Sequence, residues 1–306
     1  MSHLETTSPS TAGPHPPGYE IAAGYRLIDH MRRGGDCDTY DAWSDERYTR
    51  VFIKTVRPDC GAQDDYACRL VQHEGRLLLS FTHPHIARAY ELVDSHDGSP
   101  VLIMETLSGP NVRGMLAKTQ RPLGIESVVH LGKQLCSALR YIHDRGYLHL
   151  DVKPSNIIAH GGHARLIDFA LSRPPGPCTE RHGTRFAMAP EQVRVGMLGA
   201  ATDVWGTGLV LYEAATGVHP FLREDAATSF EETSLEEYYP QIAGPAAPVR
   251  SWRELPPAMA AAIDACLEPE PERRPTLAEL DEVLSAEAER SQQATRAPGS
   301  GQGTRA

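Results

Sequence analysis

The sequence predicts an α+β fold in two lobes, a small antiparallel sheet with one helix followed by a larger, mainly helical body. Three observations carry that expectation. Across residues 25–106, short runs rich in β-branched and aromatic residues alternate with turn-forming Gly-Gly, Ser-Asp-Glu and Pro-Asp clusters. Beyond Gly109 the apolar residues instead recur every three to four positions. The length, 306 residues, also sits at the size where one hydrophobic core stops growing, about 250 to 300 residues.

Each element has its own signal. Residues 25–31, 39–43 and 50–56 read as three strands. A helix is expected over residues 65–81, its face marked by Leu70, Glu74, Leu77 and Leu78, with strands at 87–93 and 101–106. In the second lobe Val128, Leu131, Leu135, Leu139 and Ile142 form one apolar stripe on a long helix. Further stripes occupy 204–215, 259–267 and 277–284, the last introduced by Thr276 and Glu279 as a capping box just after Pro275. Residues 1–18 and 291–306 are rich in small and polar residues and are expected to be disordered tails.

Composition excludes several classes. The chain carries 40 acidic and 30 basic residues for a net charge of -10. Its cations are scattered, with pairs such as Arg32-Arg33 and Arg273-Arg274, so no nucleic acid partner is expected. No apolar run approaches the ~18 residues of a membrane span, and residues 1–18 lack the apolar core of a signal peptide, which predicts a cytoplasmic protein with no membrane partner. The six cysteines show no metal or redox spacing, predicting free thiols. Oligomeric state has no signature in the sequence. Only Lys54, Lys118, Lys133 and Lys153 are lysines, so each lysine position is a rare choice against an arginine-rich background.

The stretch HLDVKPSNIIAHGGHARLIDFA, residues 149–170, concentrates the chemistry. Read as a loop between a helix and two short strands, it presents Asp151 as a base, Lys153 as a phosphate partner, and Asn156 and Asp168 as hard oxygen ligands for Mg2+. Those are the groups that phosphoryl transfer requires.

This stretch resembles the catalytic segment of the eukaryotic-type protein kinase family, in its bacterial serine/threonine branch. His149-Leu150-Asp151 with Asn156 is similar to the family's His-Arg-Asp and following Asn, Asp168-Phe169-Ala170 to Asp-Phe-Gly, and Ala189-Pro190-Glu191 to Ala-Pro-Glu. VFIK ending at Lys54 resembles the strand whose lysine holds the nucleotide phosphates, with Glu74 as its ion-pair partner. Met104 stands where the family has its gatekeeper, and the backbone of Glu105 and Leu107 where it meets adenine. Asp203 resembles the anchor of the catalytic loop and Arg274 the partner of Glu191. The resemblance covers about residues 25–286, implying an N-lobe at 25–104, a hinge at 105–108 and a C-lobe at 109–286. It implies ATP with Mg2+, or Mn2+ in its place, as cofactors, and Lys153 with Thr184 implies protein Ser/Thr acceptors. The ATP is expected to bind between the lobes. Catalytic roles would fall to Asp151, Lys153, Lys54 and Glu74, and nucleotide binding to Gly34, Met104, Glu105, Leu107, Asn156 and Asp168.

Three departures stand out. The glycine-rich loop places Arg32, Gly34 and Cys37 at the three glycine positions, and Asp36 and Asp38 are expected to bring acidic charge to its tip. Weakened ATP binding follows, because glycine lets backbone amides close on phosphates. Leu150 replaces the arginine that reads activation-segment phosphate, so phosphorylation, with Thr179 as its site, should matter less. Ala170 replaces the glycine after Asp168-Phe169 and is expected to restrict that segment. The eroded loop makes a nucleotide- or partner-binding pseudokinase the alternative reading, and a small-molecule phosphotransferase the third.

Overall fold

Alternation with a period of two builds the first of two units. The structure is a computed structural model that describes residues 13–60, 65–222 and 233–296. Its first unit runs to Ser108 and includes Asp168–Ala170, and the second comprises the remainder from Gly109. The first holds β1 (Glu20–Ala22), β2 (Tyr25–Arg33), β3 (Cys37–Ser44), β4 (Thr49–Val56), α1 (Asp65–Ser80), β5 (Ala89–Asp94) and β6 (Pro100–Glu105). The strands form one antiparallel sheet in the order β1-β2-β3-β4-β6-β5.

In β4, Val51 and Ile53 enter a core with Tyr40, Ala42, Val101 and Ile103. The pleat therefore turns Lys54 to the other face, paired in register with Leu102 of β6. On α1 the buried positions Ala67, Val71, Glu74, Gly75 and Leu78 follow helical spacing, with Glu74 the charged member of an otherwise apolar stripe.

Both chain ends depart from expectation. β1 pairs with β2 upstream of residue 25, and residues 13–18, read as tail, make specific contacts with the sheet although most stay exposed. Gly18 donates its amide to the Leu27 carbonyl at 2.8 Å, and His15 stacks on Tyr19 with ring centroids 4.3 Å apart. Residues 1–12 and 297–306 lie outside the described residues.

The second unit holds α2 (Val112–Thr119), α3 (Ile125–His143), β7 (Ile157–His160), β8 (His163–Leu166), β9 (Gly176–Pro177), α4 (Pro190–Val193), β10 (Met197–Leu198), α5 (Ala200–Thr216), α6 (Leu235–Tyr238), α7 (Pro257–Cys266) and α8 (Leu277–Arg296). α8 starts at the expected box, where Glu279 donates its amide to Thr276 Oγ1 at 3.2 Å and accepts the Thr276 amide at 2.8 Å. It runs six residues into the stretch 291–306 expected to be disordered, because Gln292, Gln293 and Ala294 tolerate a helix and the first breaker is Pro298. α5 is buried along nearly its whole length, from Thr202 to Ala215, and forms the centre of this unit with α3 and α7. No helix among the described residues is long and apolar enough to cross a membrane.

Glu213 of α5 is an ionisable group with little water around it. Arg113 of α2 and His219 each approach its Oε1 no closer than 3.7 Å. Burial pushes the Glu213 carboxyl up to about 7 and the His219 imidazole down to about 4. A raised carboxyl withdraws stability as pH rises from 4.5 to about 7, whereas a lowered imidazole withdraws it as pH falls from 6.5 to about 4. The two slopes oppose each other where the windows overlap. Glu213→Gln should unmask the imidazole slope of up to about 1.4 kcal/mol per pH unit. Thermal melts between pH 4.5 and 6.5 test this: a mutant-minus-wild-type difference that does not change with pH would sink it.

Candidate active site

In the first unit the Lys54 ammonium donates to Glu74 Oε2 at 2.6 Å and to Asp168 Oδ1 at 2.9 Å. Burial alone would lower its pKa, but the two carboxylates outweigh burial and hold it above the ordinary lysine value. Glu74 uses its second oxygen to accept the Phe169 amide at 3.0 Å, which ties α1 to the Asp-Phe-Ala segment. Phe169 is fully buried, edge-to-face with Phe81 at 5.8 Å. Its neighbour Asp168 keeps 38% of its side chain exposed and takes φ +67, a conformation that costs roughly 1 to 3 kcal/mol outside glycine. One cation between two carboxylates leaves an excess of negative charge on hard oxygen, which suits a divalent cation.

The rest of this unit's expected site is mixed. Gly34 lies at the β2–β3 tip, where its amide donates to the Cys37 carbonyl at 2.8 Å. Burial pushes the Cys37 thiol up to about 12, so this third glycine position carries a neutral group. Asp38 does not charge the tip as expected. It is fully buried and accepts from His30 Nε2 at 3.2 Å. Met104 is buried, while Leu107 is partly exposed. The Glu105 amide is committed to the Arg88 carbonyl at 2.9 Å, so it is not a donor for a base.

In the second unit the loop between α3 and β7 is shaped by Asp203. Its buried carboxylate accepts the amides of His149 and Leu150, both at 2.8 Å, and lies 2.8 Å from His143 Nε2. Burial raises its pKa, but the His143 hydrogen bond, its charge and the His149 amide outweigh this and hold the carboxyl below its usual value. A Cβ at Gly206 would stand 2.7 Å from the Val152 carbonyl, so α5 touches this loop only because that position is glycine. His149 Nδ1 accepts the Asp151 amide at 3.3 Å, leaving Nε2 as the protonated nitrogen that donates to the Ile167 carbonyl at 3.2 Å. His149 is thereby a buried structural imidazole.

The loop presents Asp151 fully engaged. Lys153 Nζ donates to Oδ2 at 2.5 Å, Asn156 Nδ2 donates to the same oxygen at 3.0 Å, and the Thr184 hydroxyl donates to Oδ1 at 3.0 Å. Lys153 also donates to Thr184 Oγ1, the pairing anticipated for Ser/Thr acceptors. Asn156 spends its amide nitrogen on Asp151, so its oxygen is the atom suited to a cation. Among the described residues no cluster of three His, Cys, Asp or Glu forms a metal cage. The Asp168 carboxylate of the first unit and the Asn156 amide oxygen of the second are each the hard oxygen that suits Mg2+, which binds through one or two protein oxygens, water and substrate phosphates.

Two residues escaped the sequence reading. Gln192 donates to the Leu150 carbonyl at 3.0 Å and accepts the Ala189 amide at 2.9 Å, fastening the Ala-Pro-Glu segment to the catalytic loop. Gln241 donates to the Arg185 carbonyl at 2.6 Å beneath the segment that carries Thr184. The anticipated Glu191–Arg274 pair is buried and bidentate at 2.8 and 2.9 Å.

Leu150 forms an apolar latch at the position where the resemblance implies an arginine. It packs with Leu148, Leu198 and Cys178, beside the β9–β10 ladder. Its φ of +67 is sustained by the bonds that Asp203 and Gln192 make to its amide and carbonyl. Leu150→Ala should cost about 2 to 5 kcal/mol by chemical denaturation, whereas the exposed Thr179→Ala should stay within about 0.5 kcal/mol. Equal effects would refute the latch.

The protein kinase domain family matches residues 25–285. The probable serine/threonine-protein kinase PkwA of Thermomonospora curvata is 31% identical over 271 residues, covering 86% of this chain and 34% of its own. Serine/threonine-protein kinase PknB of Mycobacterium leprae is 28% identical over 222 residues, 69% of this chain and 35% of its own. PrkC of Bacillus subtilis is 29% identical over 217 residues, 69% and 33% respectively. The chain thus spans about a third of the length of these relatives. The match spans both the Lys54–Glu74–Asp168 and the Asp151–Lys153–Asn156 clusters, and the chain belongs to the protein kinase domain family.

Proposed function

We propose that this chain transfers the γ-phosphoryl group of ATP to Ser or Thr hydroxyls of proteins in the cytoplasm. The observation that carries the reading is the Asp151 carboxylate, whose Oδ1 already accepts a hydroxyl hydrogen bond from Thr184 while Lys153 and Asn156 fix Oδ2. A substrate hydroxyl taking the same kind of bond would be oriented for attack, and Asp151 would receive its proton. Lys153 supplies positive charge beside that oxygen, where the incoming phosphoryl oxygens need it.

In the first unit, Lys54 orients the nucleotide phosphates, held in place by Glu74, and Asp168 offers its exposed carboxylate to Mg2+. Asn156 offers its amide oxygen. The bound Mg2+ supplies charge neutralisation on the phosphate oxygens. With the Glu105 amide engaged, base recognition falls to the carbonyl of Glu105 and the backbone of Leu107, beside Met104.

The test follows transfer of labelled γ-phosphate to the chain itself and to a generic protein acceptor. Asp151→Asn should reduce incorporation by about a hundredfold or more with an unchanged melting temperature. Equal incorporation by wild type and mutant would overturn the reading, and ATP-dependent thermal stabilisation without transfer would leave a nucleotide-binding module. Thr179→Ala should retain transfer within about twofold, because the apolar cluster around Leu150 already supports its segment. Loss of transfer by a folded Thr179→Ala would refute that independence.

A further inference from the structure

The β2–β3 tip keeps one glycine of three, yet its backbone is tightly specified. A Cβ on Gly34 would come 2.9 Å from the Cys37 carbonyl oxygen, so Gly34 is required by the turn itself, whereas Gly35 has open space around it. The residue that gathers the rest of the tip is Arg57, just after β4. Its Nη1 donates to the Gly35 carbonyl at 2.7 Å and reaches the Gly34 carbonyl at 3.5 Å. Its backbone amide donates to the Asp36 carbonyl at 3.1 Å. One residue therefore takes three consecutive carbonyls.

The guanidinium is itself anchored. Nε donates to Asp59 Oδ1 at 2.9 Å and Nη2 donates to Asp59 Oδ2. Arg33, at the end of β2, donates to the same Asp59 at 2.5 Å and lies 4.0 Å from Asp38. The hydrogen bonds from Arg57, with those from Arg33, hold the Asp59 carboxyl well below the usual carboxylate range. Arg57 and Arg33 thus join the tip to the end of β2 and to the segment that follows β4.

In a trans peptide the carbonyl and the amide of one plane point in opposite directions. Collecting the carbonyls of Gly34 and Gly35 at Arg57 consequently turns the amides of Gly35 and Asp36 away from it. Consecutive amides presented on one side of a turn form an anion-binding concavity. We propose that Arg57 is a positioning residue that aims these tip amides at the phosphates of the nucleotide, replacing by a side-chain grip the backbone freedom lost at Arg32 and Cys37. The inference rests on ATP being the phosphoryl donor of this chain.

The test compares the full chain with Arg57→Ala and Arg57→Lys, using calorimetric binding of Mg-ATP and of adenosine, steady-state kinetics, and amide hydrogen exchange at residues 34–37. Arg57→Ala should weaken Mg-ATP binding and raise KM for ATP about tenfold, with kcat changing less than about threefold. Adenosine, which has no phosphates, should bind both proteins alike, and the Gly34 amide should exchange faster in the variant. Arg57→Lys keeps the charge without the fork and should recover part of the affinity. Unchanged Mg-ATP affinity in Arg57→Ala, or an equal loss for adenosine, would overturn the proposal. A wild type that binds Mg-ATP without transferring phosphate refutes the kinase reading and leaves the affinity comparison decisive for Arg57. A wild type that binds no Mg-ATP overturns both.

Discussion

The catalytic loop depends on one buried carboxylate. Asp203 takes two successive amides, His149 and Leu150, from a loop that would otherwise have unpaired donors inside the protein. Leaving a charge there without those partners would cost several kcal/mol, so loop and helix stand or fall together. The grip also sustains a leucine in a left-handed conformation. That backbone path delivers Asp151 one residue later with its carboxylate turned to Lys153, Asn156 and Thr184. Close approach of α5 through Gly206 completes the support from below.

The first unit solves a different problem, holding a lysine charged in a place where burial opposes charge. Two carboxylates overcome the loss of water around Lys54, and the more exposed of them, Asp168, is also the group suited to a cation. Charge is thus arranged in excess on oxygen, to be balanced on binding. The tip above β2 and β3 follows the same economy of charge, with Asp59 serving two arginines at once.

Much of this was legible in the sequence. Strand and helix periods located the elements within a few residues, and the family resemblance supplied Glu74 as the partner of Lys54. The order of Lys54, Asp151, Asn156 and Asp168 carried the resemblance from which phosphoryl transfer was expected. What was hidden has physical reasons. The expected strand began at residue 39 and left Asp38 to the tip, whereas β3 begins at Cys37, so Asp38 falls in phase with Tyr40 and Ala42 on the buried side and meets His30. Gln192, Gln241 and Arg57 act through bonds to backbone carbonyls of distant segments, which no side-chain pattern encodes. The terminal packing around His15 and Tyr19 depends likewise on a tertiary contact, with the Tyr40 hydroxyl accepting the His15 amide.

The apolar cluster at Leu150 has a consequence for timing. A phosphate latch can be written and erased by enzymes, and its strength fades with salt because it is a contact between charges. Leucines packed against a cysteine are fixed at translation and offer no charges for salt to screen. Their contribution instead follows temperature, weakening on cooling as hydrophobic association does. In this chain the cluster beside the segment that carries Thr179 is built of leucines and a cysteine, and holds no hydroxyl on which a phosphate could be written or erased.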